Sequence, residues 1–204
     1  MQLYRPQQTE VAAACALLRA HFPDAAGDIE RGAGILPQLQ YSTAADFNGS
    51  DLGQRLGYQV NQDPGFWFPG ATGRINPNAT DDFTPHAYHS DGDRCECWDF
   101  LIRGCRCRHA WAVRVYQMII NARLDALAQA GRLDLRPAGR YENLADVVTV
   151  WGRTLASVQY SPRLDRWRCE TLRDVAFFAA WLATDEAEAE IWRGERGAYV
   201  PREY

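Results

Sequence analysis

Residues 95–109, CECWDFLIRGCRCRH, hold four of the chain's six cysteines and one of its four histidines. No other feature limits the possible folds as strongly. Soft donors that close together must be brought into one place or kept apart, and either choice dictates the path of the backbone around them. The chain has 204 residues, 47% of them apolar and 24% charged. That is enough to bury a core without staples, so the cluster does not compensate for small size. The N-terminal residues carry no charged stretch followed by an apolar one. The nearest apolar run, VAAACALL, ends at Arg19. Neither a signal peptide nor a membrane span is expected, and a cytoplasmic, reducing setting is. In that setting clustered cysteines serve metal or redox chemistry rather than disulfides.

Around the cluster, the pattern predicts an α+β fold. Residues 9–22 read as a helix with Thr9 as N-cap and Val11, Cys15, Leu18 and Phe22 on one face. A weaker helix follows over 24–36. From 58 to 97 helical periodicity gives way to short apolar pieces (YQV, FWF, HAYHS) separated by turn residues, which predict short antiparallel strands. The sequence HAYHS-DG-DRCEC predicts a hairpin that turns at Asp91-Gly92 and delivers Cys95 and Cys97 on its returning arm. Residues 109–130 predict a helix with Val113, Tyr116, Ile120, Leu124 and Leu127 as its apolar stripe. Arg114, Gln117, Asn121 and Asp125 form its polar stripe, and Gly131 sits at C′. RLDLRPAGRYEN reads as a linker. The remainder reads as mostly helical, with VVTVWGRTLASVQY open between strand and helix and a capping box at Thr171 and Asp174. The expected organisation is an N-terminal helical segment over 1–57, a zinc-binding domain over 58–131 and a helical region over 141–204.

Zinc takes four ligands in a tetrahedron, and thiolate and imidazole suit it. Cys95-x-Cys97 offers one pair and Cys107-x-His109 a second, at a helix start, with a spacer long enough for the pairs to converge. Cys95, Cys97, Cys107 and His109 are the preferred set. Cys105 is either a bystander or a replacement for Cys107 or His109. Four protein ligands leave no open position, so the site reads as structural rather than catalytic. His86 and His89 lie across the hairpin and read as locally satisfied residues. The sequence carries no nucleophile elbow, phosphate-binding glycine loop or paired acidic motif, and an enzyme is not expected.

These residues also carry a family likeness. CECWDF, RG and CRCRHAWAV together resemble the SWIM zinc finger, Cys-x-Cys followed by a variable spacer and Cys-x-His, in its bacterial and phage form. The likeness covers about residues 58–120. It implies a ββα arrangement, zinc held by Cys95, Cys97, Cys107 and His109, and binding to DNA or to proteins, in settings such as recombination, repair or mobile-element biology. The added Cys105 and the segment NPNATDDFTP depart from the pattern.

Charge is unevenly distributed. Residues 1–93 hold 5 Arg against 11 acids, residues 94–140 hold 9 Arg against 4, and residues 141–204 hold 8 Arg against 11. The positive segment contains the cluster. Arg94, Arg103, Arg106, Arg108 and Arg114 are therefore the candidate phosphate contacts. Trp98, Phe100 and Trp111 among them either stack on bases or pack the finger. A modest, salt-sensitive DNA affinity is expected. The alternative is a protein adaptor in which zinc is architectural and the acidic flanks, including DEAEAE at 185–190, dock a partner.

Overall fold

The computed structural model describes residues 2–42, 65–69, 87–138, 143–148, 154–163, 166–169, 171–184 and 187. The strand expected at 58–60, the segment 76–85, His86 and the acids of 185–190 lie outside these residues. The fold is α+β, with two antiparallel sheets. The chain divides into two compact units, Gln7–Tyr116 and Gln117–Tyr204, the latter joined by Gln2–Pro6.

In the first unit, helix α1 spans Gln8–His21 and helix α2 spans Ala26–Gly34, with a 3-10 turn on either side of α2. Helix α1 starts one residue earlier than expected, and Gln7 rather than Thr9 is its N-cap. The cause is Glu10, whose carboxylate accepts the Gln7 backbone N–H at 2.7 Å. That acid sits three residues after Gln7, the spacing a capping box requires. Strands β1 (Gln40–Ser42), β2 (Gly65–Pro69) and β3 (Ala87–Ser90) form an antiparallel sheet with β2 in the middle. Phe66 and Phe68 of β2 are fully buried. Phe66 packs edge-on against Tyr41 and Tyr116, at centroid separations of 5.4 and 5.7 Å.

The expected hairpin forms in a looser version. The returning arm makes a single bridge, Ser90 to Cys95, instead of a strand. The turn comprises the four residues 91–94, closed by the Asp91 N–H donating to the Arg94 carbonyl at 3.3 Å. The Asp91 carboxylate accepts the N–H groups of Asp93 and Arg94 at 2.8 and 2.6 Å, and Gly92 adopts φ +90°. A short polar side chain that folds back on its own backbone favours this longer turn over a two-residue one. Helix α3 (Trp98–Arg103) follows and ends on Gly104 at φ +63°. Helix α4 spans Arg108–Gln129, of which the first part, to Tyr116, belongs to this unit.

The second unit contains the rest of α4, whose C-terminus forms the expected cap. Gly131 takes φ +66°, its N–H donates to the Ala128 carbonyl at 3.0 Å, and the Arg132 N–H donates to the Leu127 carbonyl at 2.9 Å. Beyond it the structure departs from expectation. Among the described residues, the stretch read as a linker and then as mostly helical is largely a four-stranded antiparallel sheet, β4 (Asp134–Pro137), β5 (Leu144–Val148), β6 (Thr154–Ser161) and β7 (Arg166–Cys169), paired in sequence order, and β6 takes the strand option left open for VVTVWGRTLASVQY. The stretch read as a linker contributes β4. Cross-strand pairing stabilises these short segments, whose own sequences are too brief to declare a period. Among the described residues of that region, helix α5 (Leu172–Leu182) matches the helical expectation. Its capping box is present, with the Asp174 N–H donating to Thr171 Oγ1 at 3.1 Å and the Thr171 N–H donating to the Asp174 carboxylate at 3.1 Å. Val175, Phe178 and Trp181 of α5 are buried, as are Ile120 and Leu124 of α4, Val147 of β5 and Val158 of β6. The N-terminal residues join this unit through the Tyr4 N–H, which donates to the Ala179 carbonyl at 3.0 Å, and through the Tyr4 ring, under the Arg123 guanidinium.

Candidate metal centre

Three backbone devices bring the donors together. The bridge between Ser90 and Cys95 ties the first pair to β3. The first turn of α3, in which the Leu101 N–H donates to the Cys97 carbonyl at 3.1 Å, makes Cys97 the last extended residue before that helix. The first turn of α4 follows directly on Cys107, whose carbonyl accepts the Trp111 N–H at 3.0 Å. Cys95, Cys97, Cys107 and His109 are all buried, and their ligand atoms lie within 4.8 Å of one another. His109 Nδ1 is 3.7 Å from Cys95 Sγ and 3.9 Å from Cys107 Sγ. A tetrahedral zinc with ordinary bond lengths would set sulfur–nitrogen edges of about 3.5 Å and sulfur–sulfur edges of about 3.8 Å. Both sulfur–nitrogen separations lie close to such an edge, as a four-coordinate ion requires.

The three thiols are also tied to one another electrostatically. Hydrogen bonds from Cys95 and Cys97 pull the Cys107 thiol down, against its burial, with His109 and the Ala110 N–H also favouring the thiolate. The hydrogen bond to Cys107 is the main cause raising the Cys95 thiol, followed by Cys97 and burial. At Cys97 the bond to Cys107 pushes the thiol up and burial adds to it, while Cys95 and the Phe100 N–H pull the other way. Three thiols in one apolar pocket can thus share a single negative charge. A divalent cation would replace the remaining protons and allow all three to ionise. Tyr88 and Phe100 pack against the cysteines. The His109 ring lies between Phe68 and Tyr88, with centroids 5.0 and 5.2 Å away. This apolar shell fixes the imidazole and excludes water.

Cys105 is exposed and lies outside the cluster. His89 also lies outside it and packs against Trp67 at 5.0 Å. None of the six cysteines is in a disulfide.

The five candidate arginines divide into two groups. Arg103 donates to Asp99 at 2.6 Å and reaches Asp28 of α2 at 3.5 Å. Arg106 and Arg114 both donate to Asp93, each at 2.5 Å. Arg94 and Arg108 are exposed and have no carboxylate partner among the described residues. Trp111 is buried and packs edge-on against Phe22 at 5.3 Å, so its role is in packing. Sequence reasoning passed over Asp93 and Asp28, because the candidate arginines that pair with them lie 13 to 75 residues away along the chain. On α3, between the two donor pairs, Leu101 and Ile102 are 64% and 62% exposed, whereas most large apolar residues described are buried. No helix among the described residues is long and apolar enough to cross a membrane. No family model, curated protein or solved structure matches the chain.

Proposed function

We propose that the chain is a non-catalytic zinc protein whose SWIM-like finger binds DNA through phosphate contacts. One observation carries this reading. Arg94 and Arg108 are exposed, lack a carboxylate partner among the described residues, and each is bonded directly to a residue of the donor cluster. Arg94 precedes Cys95, and Arg108 lies between Cys107 and His109. A bound ion would fix the backbone on which both guanidinium groups ride, so zinc would organise the contact surface without touching the nucleic acid. Zinc suits three thiols and an imidazole in a buried site, and four protein donors close its coordination. The test is fluorescence anisotropy of labelled DNA titrated with zinc-loaded protein at several salt concentrations. Binding should weaken as salt rises and disappear on chelation. Replacing both Arg94 and Arg108 by Ala should abolish most of it. Unchanged affinity in that double variant would remove these residues from the interface.

A second reading rests on Leu101 and Ile102. Adjacent exposed aliphatic side chains on the helix between the donor pairs suit contact with a protein. In this reading the zinc is architectural and the finger is an adaptor. Replacing both residues by Ser should then abolish partner capture and leave the metal content unchanged.

A further inference from the structure

We propose that Arg106 and Arg114 form an oxyanion site that Asp93 occupies from within the chain, and that a nucleic-acid phosphate takes the place of Asp93 when the finger binds. The inference rests on the DNA reading above and assigns a regulatory residue to that same surface.

The geometry is that of an anion fork. Arg114 donates to both oxygens of Asp93, at 2.5 and 2.6 Å. Arg106 donates to Asp93 Oδ1 through two nitrogens, at 3.2 and 2.5 Å. Two guanidinium planes converging on one carboxylate also match the oxygens of a phosphate.

Each arginine has a second anchor that does not depend on Asp93. The Arg106 guanidinium lies over the Trp111 ring at 5.4 Å and the Phe22 ring at 5.8 Å. Arg114 Nε donates to the Gly92 carbonyl at 3.3 Å. Gly92 itself lies against α4, where an added Cβ would sit 3.5 Å from Arg114 Cδ. The fork is thus preorganised and would persist after the carboxylate leaves.

Asp93 is fixed less firmly. Its side chain is 56% exposed, at the tip of the 91–94 turn. Its backbone is held by the Asp91 carboxylate, so the side chain can rotate away without unfolding the turn. The carboxylate is exposed enough for a phosphate carried on a polyanion to reach the fork and compete for it. The Arg103 pairs differ: one of their two carboxylates, on Asp28, is only 18% exposed, and no ring supports the guanidinium among the described contacts. Those pairs read as a brace between α3 and α2.

The test uses the zinc-loaded full chain, a short labelled DNA duplex and an Asp93→Asn variant, titrated over a range of salt concentrations. With the competing carboxylate gone, binding should tighten about tenfold at low salt, while the slope of log affinity against log salt stays close to the wild-type one, because the same two arginines meet phosphate in both complexes. Adding Arg106→Ala and Arg114→Ala to Asp93→Asn should cancel the gain. In the wild-type protein, the Nε–H resonances of Arg106 and Arg114 should shift as DNA saturates the finger, a readout that does not depend on the variant folding. Wild-type binding with unmoved resonances, or an unchanged affinity in a folded Asp93→Asn protein, overturns the inference and leaves the DNA reading intact. Absence of binding by both proteins at low salt overturns both.

Discussion

The backbone of Gly32 in α2 passes so close to Arg108 that a Cβ at position 32 would lie 2.8 Å from the Arg108 carbonyl oxygen. It would also lie 2.8 Å from the Ala112 nitrogen and 3.0 Å from Trp111 Cβ. Two of these neighbours are backbone atoms and cannot rotate aside. The contact places α2 directly against the first turns of α4, the helix that carries His109. Gly32→Ala should therefore push the two helices apart and destabilise the first unit by about 1–3 kcal/mol, the usual cost of overpacking. The same displacement should weaken metal retention at the cluster, because the His109 backbone moves with α4. Thermal unfolding and competition with a chromogenic chelator would measure the two effects. An unaltered melting temperature would show that the helices separate freely.

The donor set makes a sharper prediction about the metal. One divalent ion should bind per chain, and cobalt in its place should give the intense visible absorption of a tetrahedral thiolate-rich site. Cys107→Ser should lose the ion, because a hydroxyl does not ionise to replace the thiolate that Cys95 and Cys97 converge on. Cys105→Ser should retain it, since Cys105 is exposed and outside the cluster. Structural zinc in small sites supplies on the order of 10 kcal/mol of folding free energy, so chelation should unfold the finger. Metal analysis of the two serine variants would show directly whether Cys107 or Cys105 is the ligand.

How far the fold was legible follows from how local each determinant is. The donors stand within fifteen residues, and their convergence could be read from spacing alone. Helix α4, its Gly131 terminus and the Thr171–Asp174 cap were also legible, because each depends on neighbours within a few positions. The start of α1 was misplaced because Thr9 is the better capping residue by type. Glu10, however, is in register to close a box only with Gln7. The second sheet is legible only in part, as the strand option open for VVTVWGRTLASVQY, and the reason lies deeper. Strands of four to eight residues, such as RWRC or LADVV, acquire their identity from the strands beside them. The Asp93 fork was invisible because its arginines lie 13 and 21 residues downstream, brought back only by the packing of the turn on α4.

Asn121 shows how a polar stripe can mislead. It was expected on the solvent-facing side of α4 and is instead 8% exposed. Its Oδ1 accepts the Cys169 backbone N–H at 2.7 Å, and its Nδ2 donates to the Gln117 carbonyl at 2.9 Å. The amide satisfies the edge strand β7 from a helix. Asn121→Ala should leave the Cys169 N–H without an acceptor and cost about 1–3 kcal/mol, partly offset by the better helix propensity of alanine. The loss should concentrate at β7. Faster amide exchange at Cys169 than at Val158, with a lower urea midpoint, is the expected pattern; equal protection at both would assign the bond no role.

The thiols should differ in reactivity, and one of them should make stability depend on alkaline pH. Burial pushes the Cys169 thiol up to about 12, with Asp174 adding to the rise. Burial likewise raises the Cys15 thiol. With zinc bound, an alkylating reagent at about pH 8 should therefore modify Cys105 alone, since the thiolate is the nucleophile and the cluster sulfurs are occupied. Chelation should expose the three cluster thiols in addition. For stability the sign follows from linkage. The folded state holds the Cys169 proton more tightly than the unfolded state, whose thiol titrates near the ordinary value of 9.0. The contribution is fully present below that pH and is lost as pH rises from 9.0 through about 12. A Cys169→Ala variant lacks this contribution, so its urea midpoint should fall less steeply over that window than the wild type's. Parallel pH profiles would mean that the thiol is as hydrated in the fold as in the open chain.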